Sequence, residues 1–101
     1  MPPALLIVDA SINPAVEEEW NAWYDTQHLP EILACPYFES GARYMNDDGE
    51  RRRYLTVYML SSVEAVSTPE FGEARGWAKF KDEVQATTRL YVRVKGTQHG
   101  R

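Results

Sequence analysis

Hydrophobic and polar residues along the chain alternate in patterns that predict strands and helices in turn. Residues 4–8 form a short run of Leu, Ile and Val, which is typical of a buried strand. Residues 37–46 and 52–60 are also strand-like, and the Asn, Asp and Gly residues between them predict a hairpin turn. Residues 87–95 alternate apolar and polar side chains, which predicts a strand with one face on the core.

A first helix is predicted to begin at Asn13 and Pro14, which suit the N-cap and the first helical position. Apolar or long side chains then recur at spacings of 4, 3 and 4 residues and form a predicted core-facing stripe: Val16, Trp20, Trp23 and Gln27. Pro30 disfavours the helical conformation of the residue before it. We therefore expect this helix to end near His28, with a further short turn over residues 30–33.

A second helix is predicted from Pro69 to Val84, after a short turn at residues 63–66, because Thr68 and Pro69 repeat the cap-then-proline pattern. Its predicted apolar stripe is Ala74, Trp77, Phe80 and Val84. Gly72 and Gly76 each weaken a helix by about 1 kcal/mol relative to alanine, so its first half is the less stable part.

The resulting order βαββαβ predicts an α+β, ferredoxin-like fold with a four-stranded antiparallel sheet and both helices on one face. The whole chain, residues 1–101, is expected to form a single domain. Apolar side chains point to both faces of the strands, as Leu5 and Ile7 do opposite Leu6 and Val8. Because the helices can cover only one face, we expect a homodimer that buries the other.

Charge and cysteine content exclude several classes of partner. The chain has 11 basic and 15 acidic residues, a net charge of −4, so we expect neither nucleic acid nor a membrane surface to bind it. The arginine run at residues 51–53 is expected at a solvated hairpin tip. Cys35 is the single cysteine and is expected to be a buried, unreactive thiol. With no signal-peptide pattern at the N-terminus, we expect a cytoplasmic protein without a metal site.

The segment WYDTQHLPEIL at residues 23–33 and the ARY at residues 42–44 resemble the EthD-like branch of the dimeric α+β barrel superfamily. This resemblance implies two ferredoxin-like subunits packed sheet to sheet, each with a cavity between its helices and its sheet. It also implies one of several activities: cofactor-free monooxygenase, polyketide cyclase, muconolactone isomerase, decarboxylase or dehydratase. The glycine that often follows the next proline in this family is Tyr37 here, after Pro36.

His28 is the main candidate for proton transfer, because the other of the two histidines lies in the unpatterned C-terminal tail. The resemblance places the His and Pro of the family at His28 and Pro30. Asp25 and Glu31, three residues to either side, could orient the imidazole. The alternative is that His28 only caps the C-terminus of the first helix.

Aromatic and basic side chains are candidates for binding a planar ligand. The residues predicted to contact the substrate are Tyr24, Arg43, Tyr58 and Trp77. Tyr44 and Tyr54 are further candidates, although strand alternation allows only some of these side chains to face one cavity. Trp20 and Trp23 are expected to belong to the core instead.

Nucleotide, zinc-protease and serine-hydrolase motifs are absent from the sequence, and we expect no cofactor. The sequence favours a cofactor-independent enzyme in which His28 performs acid–base chemistry of the lyase, isomerase or cyclase type on an aromatic, polyketide-like or lactone molecule. One alternative is a non-catalytic ligand-binding or accessory dimer of the same fold. Another is a cofactor-free monooxygenase. A cavity with His28 at its wall would favour an enzyme, whereas a filled core would favour the accessory protein.

Overall fold

Four antiparallel strands form one sheet in the computed structural model, which describes residues 1–47, 52–96 and 100. The strands are β1 (Ala4–Ile12), β2 (Phe38–Asp47), β3 (Arg52–Leu60) and β4 (Val84–Val92), in the spatial order β2-β3-β1-β4. With helices after β1 and β3, this order confirms the predicted βαββαβ ferredoxin-like fold. The strand β1 runs further than predicted, to Ile12, and β4 begins earlier, at Val84. Of the predicted hairpin tip, residues 48–51 lie outside the described residues.

The first helical region continues through Pro30 instead of ending near His28. It consists of a 3-10 turn (Pro14–Val16), α1 (Glu17–Trp23), a π-helical turn (Tyr24–His28) and α2 (Leu29–Leu33). The Asn13 side chain caps its start by accepting from the N–H of Ala15 at 3.0 Å, as predicted. In the π turn the Leu29 N–H donates to the Tyr24 carbonyl, five residues back. We attribute the continuity to this wider turn, which relieves the clash of a proline ring with the carbonyl four residues earlier.

The π turn also changes which side chains face the sheet. The buried residues of this helical region lie four apart: Trp20, Tyr24, His28 and Ile32. In a regular α-helix each step of four residues would advance about 40°, so this row would wind away from the sheet. The wider turn offsets that rotation. The predicted stripe was therefore wrong at Gln27, which is exposed, and Trp23 is only half-buried.

The second predicted helix is α3 (Pro69–Ala74), which is much shorter than predicted because it ends at Ala74 and not at Val84. The Thr68 hydroxyl caps it by accepting from the Phe71 N–H at 3.1 Å, as predicted. Arg75 leaves the helix with an extended backbone, and Gly76 follows at φ +111°, a conformation that side chains with a Cβ rarely adopt. A 3-10 turn (Ala78–Phe80) then leads to β4.

Alternation along the strands separates a helix-facing side of the sheet from an outer side. On β1 the helix-facing residues are all buried: Ala4, Leu6, Val8, Ala10 and Ile12. Their neighbours Leu5 and Ile7 are half-buried on the outer side, together with Leu55 and Val57 of β3. Both faces are therefore apolar, as predicted. No helix in the described part of the chain is long and apolar enough to cross a membrane.

We expect Trp20→Ala to lower the free energy of unfolding by about 3–5 kcal/mol, because the Trp20 side chain is fully buried. Gln27→Ala should change the free energy of unfolding by less than about 0.5 kcal/mol, since an exposed side chain loses little packing. Urea unfolding of both variants measures the difference. A loss above about 1 kcal/mol for Gln27→Ala would show that the regular α-helical stripe, not the π-shifted one, faces the core.

Candidate functional site

A cavity of about 230 Å³ lies between the helices and the helix-facing side of the sheet. Its buried lining residues are Leu6, Val8, Tyr24, His28, Ile32, Tyr58 and Phe71. Trp77 is half-buried, whereas Arg75, Gly76 and Thr88 are exposed lining residues. The cavity therefore opens between the segment that follows α3 and the edge strand β4.

The imidazole of His28 forms part of the cavity wall, with 5% of the residue exposed. It stacks on Trp23 with ring centroids 4.6 Å apart and meets the Tyr24 ring edge-on at 4.8 Å. Trp77 lies 5.6 Å from it on the cavity lining. Within the described residues, no group forms a hydrogen bond with either ring nitrogen. Because the helix continues past His28 through Leu33, the histidine does not cap a helix end.

Burial and, as the smaller cause, the nearby positive charge of Arg43 together lower the pKa of His28 to about 4. Desolvation is the larger cause, since the charged imidazolium loses more solvation than the neutral ring. The imidazole is therefore neutral at pH 7. A neutral ring of this kind can accept a proton or hydrogen bond on one nitrogen and donate from the other.

Hydroxyl groups form a short chain beside the cavity. Thr56 donates from Oγ1 to the Tyr24 hydroxyl oxygen at 2.9 Å, and the Tyr24 and Tyr58 hydroxyls are 3.2 Å apart. With Thr56 as donor, Tyr24 can donate its own hydrogen to Tyr58, which leaves the Tyr58 hydrogen for another acceptor. Burial raises the pKa of Tyr58, so its hydroxyl stays protonated.

Arg43 and Asp25 form an ion pair outside the cavity lining, with Nη1 2.6 Å from Oδ1. The other terminal nitrogen of Arg43 donates to Asn21 Oδ1 at 2.8 Å, and the guanidinium carbon lies 4.1 Å from the Tyr24 ring centroid. Because the π turn directs Tyr24 and His28 inward, Asp25 points outward and is exposed. Its carboxylate bonds Arg43 and does not orient the His28 ring.

Among the sequence-predicted residues, the cavity brings together Tyr24, His28, Tyr58 and Trp77, while Arg43 lies beside the Tyr24 ring. Tyr44 is exposed on the outer side of the sheet, and Tyr54 bonds Asn21 and Glu17 instead. Glu31 is exposed.

Two polar residues of the site were missed by sequence reasoning, Thr56 and Arg75. Thr56 carried no signal beyond its inward strand position. Arg75 was hidden within the predicted long helix, although Gly76 was a signal that the helix breaks there. In the described part of the chain, no group of three or more His, Cys, Asp or Glu residues could hold a metal ion.

Several solved structures share this fold and align with nearly all of the chain. One is a mutant of SnoaB, a cofactor-independent oxygenase from Streptomyces nogalater, with 11% identity over 94% of this chain and 96% of that one, at a TM-score of 0.67. An ethyl tert-butyl ether D (EthD) family protein from Bacillus halodurans has 12% identity over 90% of this chain and 99% of that one, at a TM-score of 0.61. A dimeric ferredoxin-like protein from an uncultured marine organism has 12% identity over 96% of this chain and 100% of that one, also at a TM-score of 0.61.

These likenesses confirm the ferredoxin-like fold and fit the predicted superfamily, and at such low identity they show the fold alone. No curated protein sequence matches the chain. A family that is described only as a domain of unknown function, DUF4286, matches residues 4–93, which is most of the sequence. The chain therefore belongs to the DUF4286 family.

Proposed function

We propose that the protein is a cofactor-independent enzyme that performs acid–base chemistry on a small aromatic, polyketide-like or lactone molecule. The observation that carries this proposal is the His28 imidazole, which is buried at the wall of a largely apolar cavity without a hydrogen-bond partner among the described residues. Its ring nitrogens are not among the fully buried side-chain atoms that lack a partner in the described residues, so they keep access to the cavity space, where a ligand can bond them. A concave apolar site with a few polar groups is the usual form of a small-molecule site.

Proton abstraction next to a carbonyl is the reaction that suits these groups. The neutral imidazole of His28 takes the proton from the carbon, and the substrate becomes an enolate. Tyr58, whose hydroxyl hydrogen is available, donates a hydrogen bond to the enolate oxygen. Return of the proton to a different carbon gives an isomer, and departure of a β-substituent gives the product of a lyase.

The lowered pKa of His28 determines that the imidazole enters the reaction as a base. A ring with a pKa of about 4 holds no proton at pH 7, so the resting protein contains a base and not an acid. An enolate that forms beside the ring stabilises the imidazolium, because opposite charges attract strongly in a site of low dielectric constant. The imidazolium can then act as the acid that returns the proton.

A cofactor-independent oxygenase is the second candidate, and the similarity of fold to SnoaB favours it. The same proton abstraction would produce an electron-rich enolate that molecular oxygen can attack. The third candidate is a ligand-binding protein that catalyses no reaction. In that protein His28 would form a hydrogen bond with the ligand and transfer no proton.

Dimerisation through the outer side of the sheet is also part of the proposal. That side carries half-buried Leu5, Ile7 and Val57, and large exposed side chains such as Met59 and Tyr91. A contiguous apolar surface of several hundred square ångströms marks an interaction site, and a twofold dimer is the commonest way to cover one. One structure of the same fold is described as a dimeric ferredoxin-like protein.

Deuterium exchange tests the proposed proton abstraction. We expect the protein to accelerate exchange at the carbon next to the carbonyl of β-tetralone, an aromatic ketone, and of the isochromanone lactone whose CH2 group lies between the ring and the carbonyl. His28→Gln should reduce this acceleration by ~10²-fold or more, the usual size of a general-base contribution. Proton NMR in heavy water follows the exchange.

Gln27→Ala is the matched control, because its side chain is exposed on the same helical turn. It should leave the exchange rate unchanged. Equal rates for the native protein and His28→Gln would contradict a catalytic His28 and leave ligand binding as the function. Uptake of dissolved oxygen that depends on both substrate and His28 would favour the oxygenase.

The neutral imidazole also predicts how stability depends on pH. The unfolded state binds a proton on His28 below pH 6.5, whereas the folded state binds it only below about pH 4. Stability therefore falls as the pH is lowered through this window, by about 3 kcal/mol in total, and levels off below it. Urea unfolding between pH 7.5 and 4, of the native protein against His28→Gln, isolates this effect. Parallel stability curves would show that His28 is not buried in its neutral form.

Sedimentation should give about twice the 11.6 kDa chain mass at micromolar protein concentration. Val57→Glu, which places a charge on the outer side of the sheet, should give monomers. Thr26→Glu adds the same charge on the exposed helix surface and should leave the dimer intact. A native protein that sediments as a monomer would contradict the proposed interface.

A further inference from the structure

Arg75 supplies the one charged side chain among the described residues that line the cavity, since His28 is neutral at pH 7. No Asp or Glu is part of that lining. The chain as a whole has 15 acidic and 11 basic residues, so a lining without a carboxylate does not simply follow from its composition. The residues that line the cavity therefore carry one positive charge on a protein of negative net charge.

The guanidinium of Arg75 is without an acidic partner in the described part of the chain. Arg43 and Arg53, by contrast, are paired with Asp25 and Asp9. Some other exposed basic residues, such as Lys81 and Arg89, are also unpaired among the described residues, but they do not line the cavity. Arg75 instead lies over an aromatic ring, with its guanidinium carbon 5.4 Å from the ring centroid of Phe71. Phe71 itself lines the cavity, so this contact holds the charge beside the space where a ligand would lie.

The backbone fixes the position of Arg75. Its N–H donates to the Phe71 carbonyl at 2.9 Å, the last hydrogen bond of α3, and its own backbone is extended. Gly76 then turns the chain in a left-handed conformation, and Trp77 returns to the cavity lining. The end of α3 therefore places the Arg75 guanidinium at the cavity mouth and the Trp77 ring on the cavity wall.

We propose that the ligand is an aromatic acid of one or two rings whose carboxylate pairs with Arg75 at the cavity mouth. This inference rests on the proposed function, because it assumes that the cavity holds a ligand. The volume of about 230 Å³ exceeds the ~150 Å³ of a protein cavity that encloses benzene. Planar rings suit the remaining lining, which is formed largely by Leu6, Val8, Ile32, Phe71 and Trp77.

An anionic ligand would also support the chemistry of His28. A carboxylate bound in this cavity brings negative charge close to the imidazole, which favours its protonated form. His28 is therefore a stronger base when an anionic ligand is bound than when the cavity holds a neutral one. Arg75 thus selects the ligand, and the ligand charge prepares His28 to accept a proton.

Calorimetric titration with β-naphthoate and with its neutral counterpart β-naphthamide tests the role of Arg75. We expect Arg75→Gln to weaken naphthoate binding by at least ~10-fold, because a carboxylate loses its charged partner. Arg75→Lys should restore part of the affinity. Lys81→Gln removes the same charge from an exposed residue that does not line the cavity, and it should bind naphthoate as the native protein does. Naphthamide should bind all four proteins equally.

The outcomes separate this inference from the proposed function. Equal binding of naphthoate and naphthamide to the native protein, with no effect of Arg75→Gln, would overturn the selection of an anion and leave the cavity as a ligand site. Equal losses in Arg75→Gln and Lys81→Gln would reduce the effect to net charge and would also overturn it. Binding of neither probe to the native protein would overturn both the inference and the proposed ligand cavity.

Discussion

The hydrogen bond from the Leu29 N–H to the Tyr24 carbonyl is the interaction on which the site depends. It widens one turn of the first helical region, so that side chains four residues apart all face the sheet. Tyr24 and His28 therefore reach the cavity while Asp25 is directed to solvent, where Arg43 pairs with it. In a regular α-helix this row would wind about 40° around the axis at each step of four residues, so His28 would be directed less squarely at the sheet.

The strands, the helix caps and the two apolar sheet faces could be predicted because local rules determine them. Asn13 and Thr68 each accept the N–H expected of a cap, and alternation along β1 separates the helix-facing side chains from the outer ones. The helix ends could not be predicted in the same way. Pro30 signals a stop in an α-helix but is tolerated after a π turn, and that turn depends on tertiary packing that a single sequence does not display.

The candidate site was predictable to the extent that it lies on regular strands and on the first helical region. His28, Tyr24, Tyr58 and Trp77 were selected by residue type, and all four line the cavity. Arg75 was not selected, because the sequence placed it inside a helix that in fact ends there. Its position depends on where Gly76 breaks the helix, and a glycine only weakens a helix by about 1 kcal/mol without fixing the point at which it ends.

The two arginines near His28 have opposite environments, and this contrast explains the electrostatics of the cavity. Arg43 donates hydrogen bonds to Asp25 and Asn21 and lies over the Tyr24 ring, so it is held in the packing beside the cavity. Its positive charge disfavours protonation of His28. Arg75 has no such carboxylate and lies at the open side. A base that is kept neutral by burial and by one arginine therefore lies in a cavity where a second arginine can attract the negative charge that raises its basicity.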